Sequence, residues 1–422
     1  MPGPSRNVFI TGSEDPVAIK MGNSTSVDAF GRLRVSNPTT LFDSQHQYDK
    51  QPLLWHEKIA GSATSTHAPN ESAVDLAVTT ASGDSVIRQT KEYFRYQPGK
   101  SQQIFCTGVL GEAQSNTNKL VGYGDDENGL FFGQDGGGVY VLLRSNSTGT
   151  PSDDRKVYQA DWNYDVMDGT GPSEVTVDWT KTQIFTIDLE WLGVGRVRMG
   201  IVIEGQLYTV HQFRNANEQT TTYMTTANLP VRYEITNTGA TAASATLKAI
   251  CCQVSSEAGV NNVQAYPFAT HLTGVAIPNG AANRSVVFAA RHATTFNGVT
   301  NRGLFVPVGY EVLATGGTVY SEVLYEVTPT GAPTWGAVSS YSFMEGSSDI
   351  GAAFTNGYVI ENGITGGTSK VKVGVTEPRG LASRLPFGLD IDGANPIILG
   401  LAVYASTNNV TADLAFHWEE IR

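Results

Sequence analysis

Charge is scarce in this chain: Asp, Glu, Lys and Arg make up 16% of its 422 residues, against roughly 25% in an ordinary soluble domain. What charge there is leans acidic, with 28 basic and 40 acidic residues and a formal balance of −12. Phosphate recognition needs clustered Lys and Arg. The densest basic feature is the pair Arg32 and Arg34, so no nucleic acid is expected as a main partner. Cysteine is nearly absent as well. Cys106, Cys251 and Cys252 are odd in number and two are adjacent, which suggests no disulfide framework and fits a protein made in a reducing cytoplasm. No apolar run approaches the ~18 residues of a membrane-spanning helix, and the opening residues lack the continuous apolar stretch of a signal peptide, so no membrane insertion is expected. Catalytic motifs are missing too. The histidines are scattered, no HExxH, GxSxG or Walker loop occurs, and Cys251–Cys252 lacks zinc-site spacing.

What is plentiful suits strands. Hydrophobic residues make up 40% of the chain and glycine contributes 45 residues. With abundant Thr, Ser, Asn and Val, this is the mixture of short strands and tight turns. A chain of this length needs more than one core. Phe185, Ile187, Leu189 and Trp191 alternate with Thr186, Asp188 and Glu190, the signature of a half-buried strand with its polar face in water. Turns at Gly193–Gly195 and Gly205 then join Arg196–Glu204 and Gln206–Phe213 to it as an antiparallel meander. In the strand Thr246–Val254, Cys251 and Cys252 point to opposite faces, one of them into the core. Alternation fades between Ser255 and Pro267. It returns at Val319–Val327, Val371–Val375, Ile397–Tyr404 and Leu414–Trp418. Asp49–Lys58 is the nearest approach to a helix. The expected fold is all-β: an extended N-terminal docking arm over 1–50, an antiparallel β-sandwich of jelly-roll or concanavalin-like type over 51–258, and a second β-sandwich over 263–422.

The arm is read from its islands. Val8–Ile10, Val17–Ile19 and Leu33–Val35 are apolar, but none has neighbours enough to make a core. Phe30, Leu33 and Val35, with Leu41 and Phe42 further on, are the anchors; Arg32 and Arg34 flank Leu33 on the other side of an extended strand. Such a strand can add to the edge of a partner's sheet. The plainer alternative is an ordinary first strand of the domain.

Three constellations bear on chemistry. Asp125, Asp126 and Asn128 sit in the densest acidic cluster and supply oxygens of the kind a calcium loop uses; bracketed by Gly124 and Gly129, the same run reads as a solvated hairpin turn. Asp188 and Glu190 share a strand face, as a glycosidase pair would, and as solvated surface carboxylates do. Trp162, Tyr164 and Trp179 stand among Asp and Asn, a setting for stacking on a sugar ring or for a loop tucked over the sandwich edge. No cofactor is implied.

The segment Ser26–Asp49, SVDAFGRLRVSNPTTLFDSQHQYD, resembles an N-terminal stretch of structural proteins of tailed bacteriophages. Gly122–Gly137, Thr180–Gln206 and Asn228–Gly239 are similar to the same group, and nothing beyond Gly239 is matched. The resemblance implies a virion protein made in the cytoplasm of a bacterial host, with other virion proteins as partners. It leaves open whether the place is head decoration, neck, tail, baseplate or fibre. By analogy with phage appendages a homo-oligomer is expected, a trimer first, with Phe416 and Trp418 either meeting their symmetry mates or filling the core and Glu419, Glu420 and Arg422 at the rim. The expectation is therefore a structural, non-enzymatic virion component. The alternatives are a receptor-binding module for host surface glycans and a glycan depolymerase.

Overall fold

A computed structural model of the chain describes residues 37–257, 264–355, 357–366, 370–374 and 385–422. Among the described residues every regular element is a strand, apart from three short 3-10 turns. The first sandwich contains β1 (Pro38–Gln45), β2 (Trp55–Ala60), β3 (Thr64–Ala68), β4 (Ala73–Val78), β5 (Ser85–Thr90), β6 (Gln102–Val109), β7 (Thr117–Gly124), β8 (Gly129–Asp135), β9 (Gly138–Ser145), β10 (Ser152–Tyr158), β11 (Gln183–Leu189), β12 (Val197–Ile203), β13 (Gln206–Phe213), β14 (Val231–Asn237) and β15 (Ala245–Glu257). One sheet runs β13-β12-β11-β6-β15-β4-β3, and the other β10-β9-β8-β7-β14-β5-β2. Their inner rows, Phe132, Phe185, Tyr233 and Leu247 among them, fill one core.

The expected meander is there as β11, β12 and β13, and its two-residue turn takes Glu204 and Gly205 at φ of 52° and 77°, the left-handed pair that matches strand twist. One expectation is corrected. The face opposite Phe185 and Ile187 is only partly in water: Ile184 is exposed, but Thr186 and Asp188 are 2% and 5% exposed, and Asp188 can be buried because Arg198, opposite it on β12, neutralises it and Ser101 donates to it.

The arm boundary moves as well. β15 pairs on one edge with β4 over Ala245–Ala249, and its remaining length would leave an unpaired ladder. β1 fills that place, from Pro38 opposite Glu257 to Gln45 opposite Cys251. Leu41 and Phe42, expected in a docking arm, are therefore 7% and 8% exposed inside the first core. Phe30, Arg32, Leu33, Arg34 and Val35 lie outside the described residues. Asp49–Lys58 forms no helix; it is a turn followed by β2.

A buried cation ties this region together. The Arg88 side chain donates to Glu57 at 2.5 Å, to His46 Nε2 at 2.9 Å and to the Lys50 carbonyl, and its guanidinium lies 4.7 Å from the centroid of the Trp55 ring. His46 Nδ1 lies 2.7 Å from the Ile250 carbonyl and donates to it, so Nε2 must be the bare acceptor that Arg88 needs.

The second sandwich follows from β16 (Tyr266–Ile277), β17 (Ser285–His292), β18 (Thr295–Phe296), β19 (Val299–Thr300), β20 (Leu304–Thr315), β21 (Val319–Tyr325), β22 (Thr328–Pro329), β23 (Gly336–Ala337), β24 (Met344–Ser347), β25 (Phe354–Thr355), β26 (Tyr358–Thr365), β27 (Lys370–Gly374), β28 (Leu399–Ala405) and β29 (Val410–Ile421). Its sheets run β16-β29-β20-β27 and β23-β24-β17-β28-β21-β26. β29 is a central strand, so Phe416 and Trp418, at 3% and 1% exposed, fill the core and do not meet a symmetry mate. Glu420, expected at a rim, is fully buried. It accepts from the Ser342 hydroxyl at 2.5 Å, the Phe343 amide at 3.0 Å and the Trp418 indole at 3.0 Å.

Two outcomes follow from this packing. Phe42 rests its ring on Phe94 and Trp55, with centroids 5.1 and 6.2 Å away, so Phe42→Ala should destabilise the first domain by about 3 kcal/mol in urea unfolding. Removing residues 1–36 should leave that transition where it is. The second outcome concerns pH. Burial, then the Arg88 charge, lowers the His46 imidazole from its ordinary value to about 4, and burial does the same to His56, His211 and His292. The unfolded chain takes up these protons near pH 6.5 and the folded chain only near 4, so stability is complete above 6.5 and is lost as pH falls through that window. Melting should weaken from pH 7 to 5, where carboxylates are still ionised, by up to about 2 kcal/mol per such histidine; His46→Gln should remove one share of that slope.

Candidate functional site

The β7–β8 turn holds the acidic cluster, and Asp125, Asp126 and Asn128 each have their own partners there. Asp125 Oδ1 accepts from the backbone N–H groups of Glu127 and Asn128, both at 2.9 Å. Asp126 accepts from Arg232 at 2.5 Å. Burial alone would raise the Asp126 carboxyl, but the Arg232 guanidinium outweighs it and holds the group below the usual carboxylate range. Asn128 is buried, donates to the Thr225 hydroxyl at 2.7 Å and accepts from the Thr225 amide at 3.0 Å. These residues tie the turn to its neighbours and do not converge on one point. Among the described residues no group of three or more His, Cys, Asp and Glu side chains is placed to hold a metal ion.

The aromatic trio is drawn inward. Trp162 is 5% exposed, donates its indole N–H to the Val157 carbonyl at 3.2 Å, and sets its ring edge-on to Phe132 and Trp179. Trp179 is half-buried and donates to Gln159 Oε1 at 3.0 Å. The Tyr164 hydroxyl donates to Gln212 at 2.7 Å. The expected sugar platform is thereby corrected for Trp162, which presents no open face. An indole has a large apolar body and one donor, and both are satisfied under the loop. Asp188 and Glu190 do not act as a facing pair either: Asp188 is ion-paired with Arg198, and Glu190 accepts from the Arg196 amide at 3.1 Å.

The structure instead brings the acidic turn together with residues that sequence reasoning did not connect to it. A cleft of about 560 Å³ opens between the two sandwiches, within the size range of small-molecule sites. Tyr93, the Asp125–Glu127 turn, Thr225 and Asn228 form its first wall; Phe296, Thr300, Arg302, Asp392 and Arg422 form the second. Lys58 pairs with Asp392 across the gap. The Arg302 guanidinium lies 4.5 Å from the centroid of the Tyr93 ring while donating to the carbonyls of Asp390 and Ile391 at 2.8 and 3.1 Å. Arg422 lies 4.5 Å from the Tyr266 ring and 4.7 Å from Phe296. The aromatic faces of the cleft are thus already occupied by guanidinium groups. Behind it, Lys91 pairs with Glu326 and sits 5.7 Å from the Tyr325 ring. Arg232, fully buried beside Asp126, has one Nη2 with no hydrogen-bond partner. Chemically the cleft offers carboxylates, amides and hydroxyls for polar contacts. No sequence signal announces it, since Lys58 and Asp392 stand 334 residues apart.

No protein-family model matches the chain, and no curated protein matches it. Among solved structures it is similar to the carbohydrate recognition domain of Emp47p, at 12% identity and a TM-score of 0.34 over 53% of this chain and 97% of that one. It is also similar to the legume lectin-like domain from Entamoeba histolytica, at 9% identity and a TM-score of 0.31 over 52% and 98%. A third is a carbohydrate esterase from the Shiga toxin-encoding bacteriophage phi24B, at 11% identity and a TM-score of 0.29 over 52% and 100%.

Proposed function

We propose that the chain is a structural component of a tailed-phage virion, self-associating and without catalytic chemistry of its own. The observation that carries this reading is β16. It is an edge strand of twelve residues, Tyr266–Ile277, with no Asp, Glu, Lys or Arg, and every side chain except Ile277 is exposed or half-buried. Free edge strands invite pairing, and proteins that stay alone blunt them with charge, bulges or a cover. β16 has only Pro267 near its start and a bulge after Leu272. Such an edge suits a particle in which a neighbour lies against it. The phage-like segment Ser26–Asp49 supports the same reading. So does the engagement of Asp126, Asp188 and Glu420 in structural pairs and hydrogen bonds.

Recognition of a host glycan is the second reading, and the polar cleft between the sandwiches favours it. A glycan array probed with the purified chain separates the two. Signal that Asp392→Ala and Asn228→Ala abolish would favour the second.

The first reading is tested in particles. A chain lacking residues 1–36 keeps every described element, so it should fold, yet it should be missing from purified virions examined by mass spectrometry and immunogold labelling. Normal incorporation of the truncated chain would defeat an assembly role for the N-terminal segment. Absence of the full-length chain from virions would defeat the reading altogether.

A further inference from the structure

The smaller sheet of the second sandwich stops early at β16. On one flank β26 lies against β27 and the two sheets close. On the other, the larger sheet continues from β17 to β24 and β23, whereas the smaller one ends. The effect is visible on the inward row of β16. Phe268, Leu272 and Val275 pack against the core but remain half-exposed, while their partners on β29, Trp418, Leu414 and Ala412, are 1%, 4% and 2% exposed. Among the described residues β16 pairs with β29 alone.

We infer that this edge receives residues 27–35 of a neighbouring copy of the chain as an added antiparallel strand, an inference that rests on the self-associating reading above. Drawn out as a strand, the segment puts Val27, Ala29, Gly31, Leu33 and Val35 on one side and Asp28, Phe30, Arg32 and Arg34 on the other. The first row has the size and polarity to cover Phe268 and Leu272. Phe30 then falls with the arginines and not with Leu33 and Val35. The second row lies two strands, about 10 Å, from two carboxylates on the outward row of β29, Asp413 and Glu419, within reach of long arginine side chains. Backbone pairing supplies affinity, and the alternating rows supply register.

The donor is a neighbour because the reading above is one of self-association, and chain length anchors the segment only in its own chain. In its own chain Val35 is three residues from Pro38 (38 − 35), and Pro38 is pinned opposite Glu257. Tyr266 lies nine residues beyond Glu257 (266 − 257). Three residues reach at most about 10 Å, so a strand given by its own chain has to start beside Pro38. A second copy carries no such limit.

Cross-linking tests the assignment on the purified full-length chain. Cys251→Ser removes the half-buried native thiol, and Leu33→Cys is combined in turn with Phe268→Cys, Thr270→Cys or Leu272→Cys. Oxidation should give chains joined to chains in at least one register on a non-reducing gel, and Arg34→Cys in place of Leu33→Cys should give none. The double variant Leu33→Asp/Val35→Asp should melt like the parent yet scatter light as a single chain. The inference is overturned by folded protein that cross-links in no register, by a link confined to one chain, by Thr270→Cys alone joining two β16 strands, or by an unchanged mass in the Asp variant. These readouts need no phage particle, so their failure is separable from failure of the virion reading, which incorporation decides.

Discussion

The ladder between Pro38–Gln45 and the far half of β15 decides where the rest of the molecule can go. Because the pairing is antiparallel and sets Pro38 opposite Glu257, the N-terminal segment and the connection to the second sandwich leave the first from the same end. The Arg88 clamp makes that arrangement firm. A guanidinium at 0% exposure is costly unless it is paired, and Glu57, His46 and the Lys50 carbonyl take up its two Nη atoms while the Trp55 ring lies over it. The same stretch continues to Leu53, which packs on the second core, and to Lys58, which pairs with Asp392. The root of the N-terminal segment, the edge of the first core and the contact between sandwiches are therefore held by one set of side chains.

That contact differs in kind from the two cores. The cores are continuous apolar clusters, whereas the sandwiches meet largely through ion pairs and cations over rings: Lys58 with Asp392, Lys91 with Glu326 and Tyr325, and Arg302 over Tyr93. Polar contacts of this type resemble transient interfaces more than the interior of a domain. They are screened by salt where they are exposed, as Lys58 and Asp392 are.

Much of the fold was legible because period-two alternation is a local property. The strands that became β11, β12, β13, β21 and β29 could be read from their own residues. What depended on partners could not. Leu41 and Phe42 looked isolated because the core they join is supplied by strands distant in sequence. Asp188 looked solvated because its burial is decided by Arg198 on the next strand. Glu420 looked like a rim residue because its donors, Ser342 and Phe343, come from a distant loop. At the candidate site the acidic turn was located correctly, but the direction in which each oxygen points depends on Arg232 and Thr225. Trp162 shows the limit of composition: an indole among Asp and Asn reads the same whether its loop stands open or folds over the sandwich edge.

The placement of the cysteines has a consequence for how motion in the first sandwich can be followed. Cys106 and Cys252 face each other across the β6–β15 ladder at 2% and 5% exposure, and burial pushes the Cys106 thiol up to about 12 and the Cys252 thiol well above its ordinary value. Neither can present a thiolate to a reagent while the sheet is closed. Cys251, their neighbour on the opposite face, is half-buried. The chain thus carries two sealed thiols and one partly open one on two paired strands. The alkylation rate of the sealed pair relative to Cys251 is a built-in clock for how often the middle of the sheet breathes.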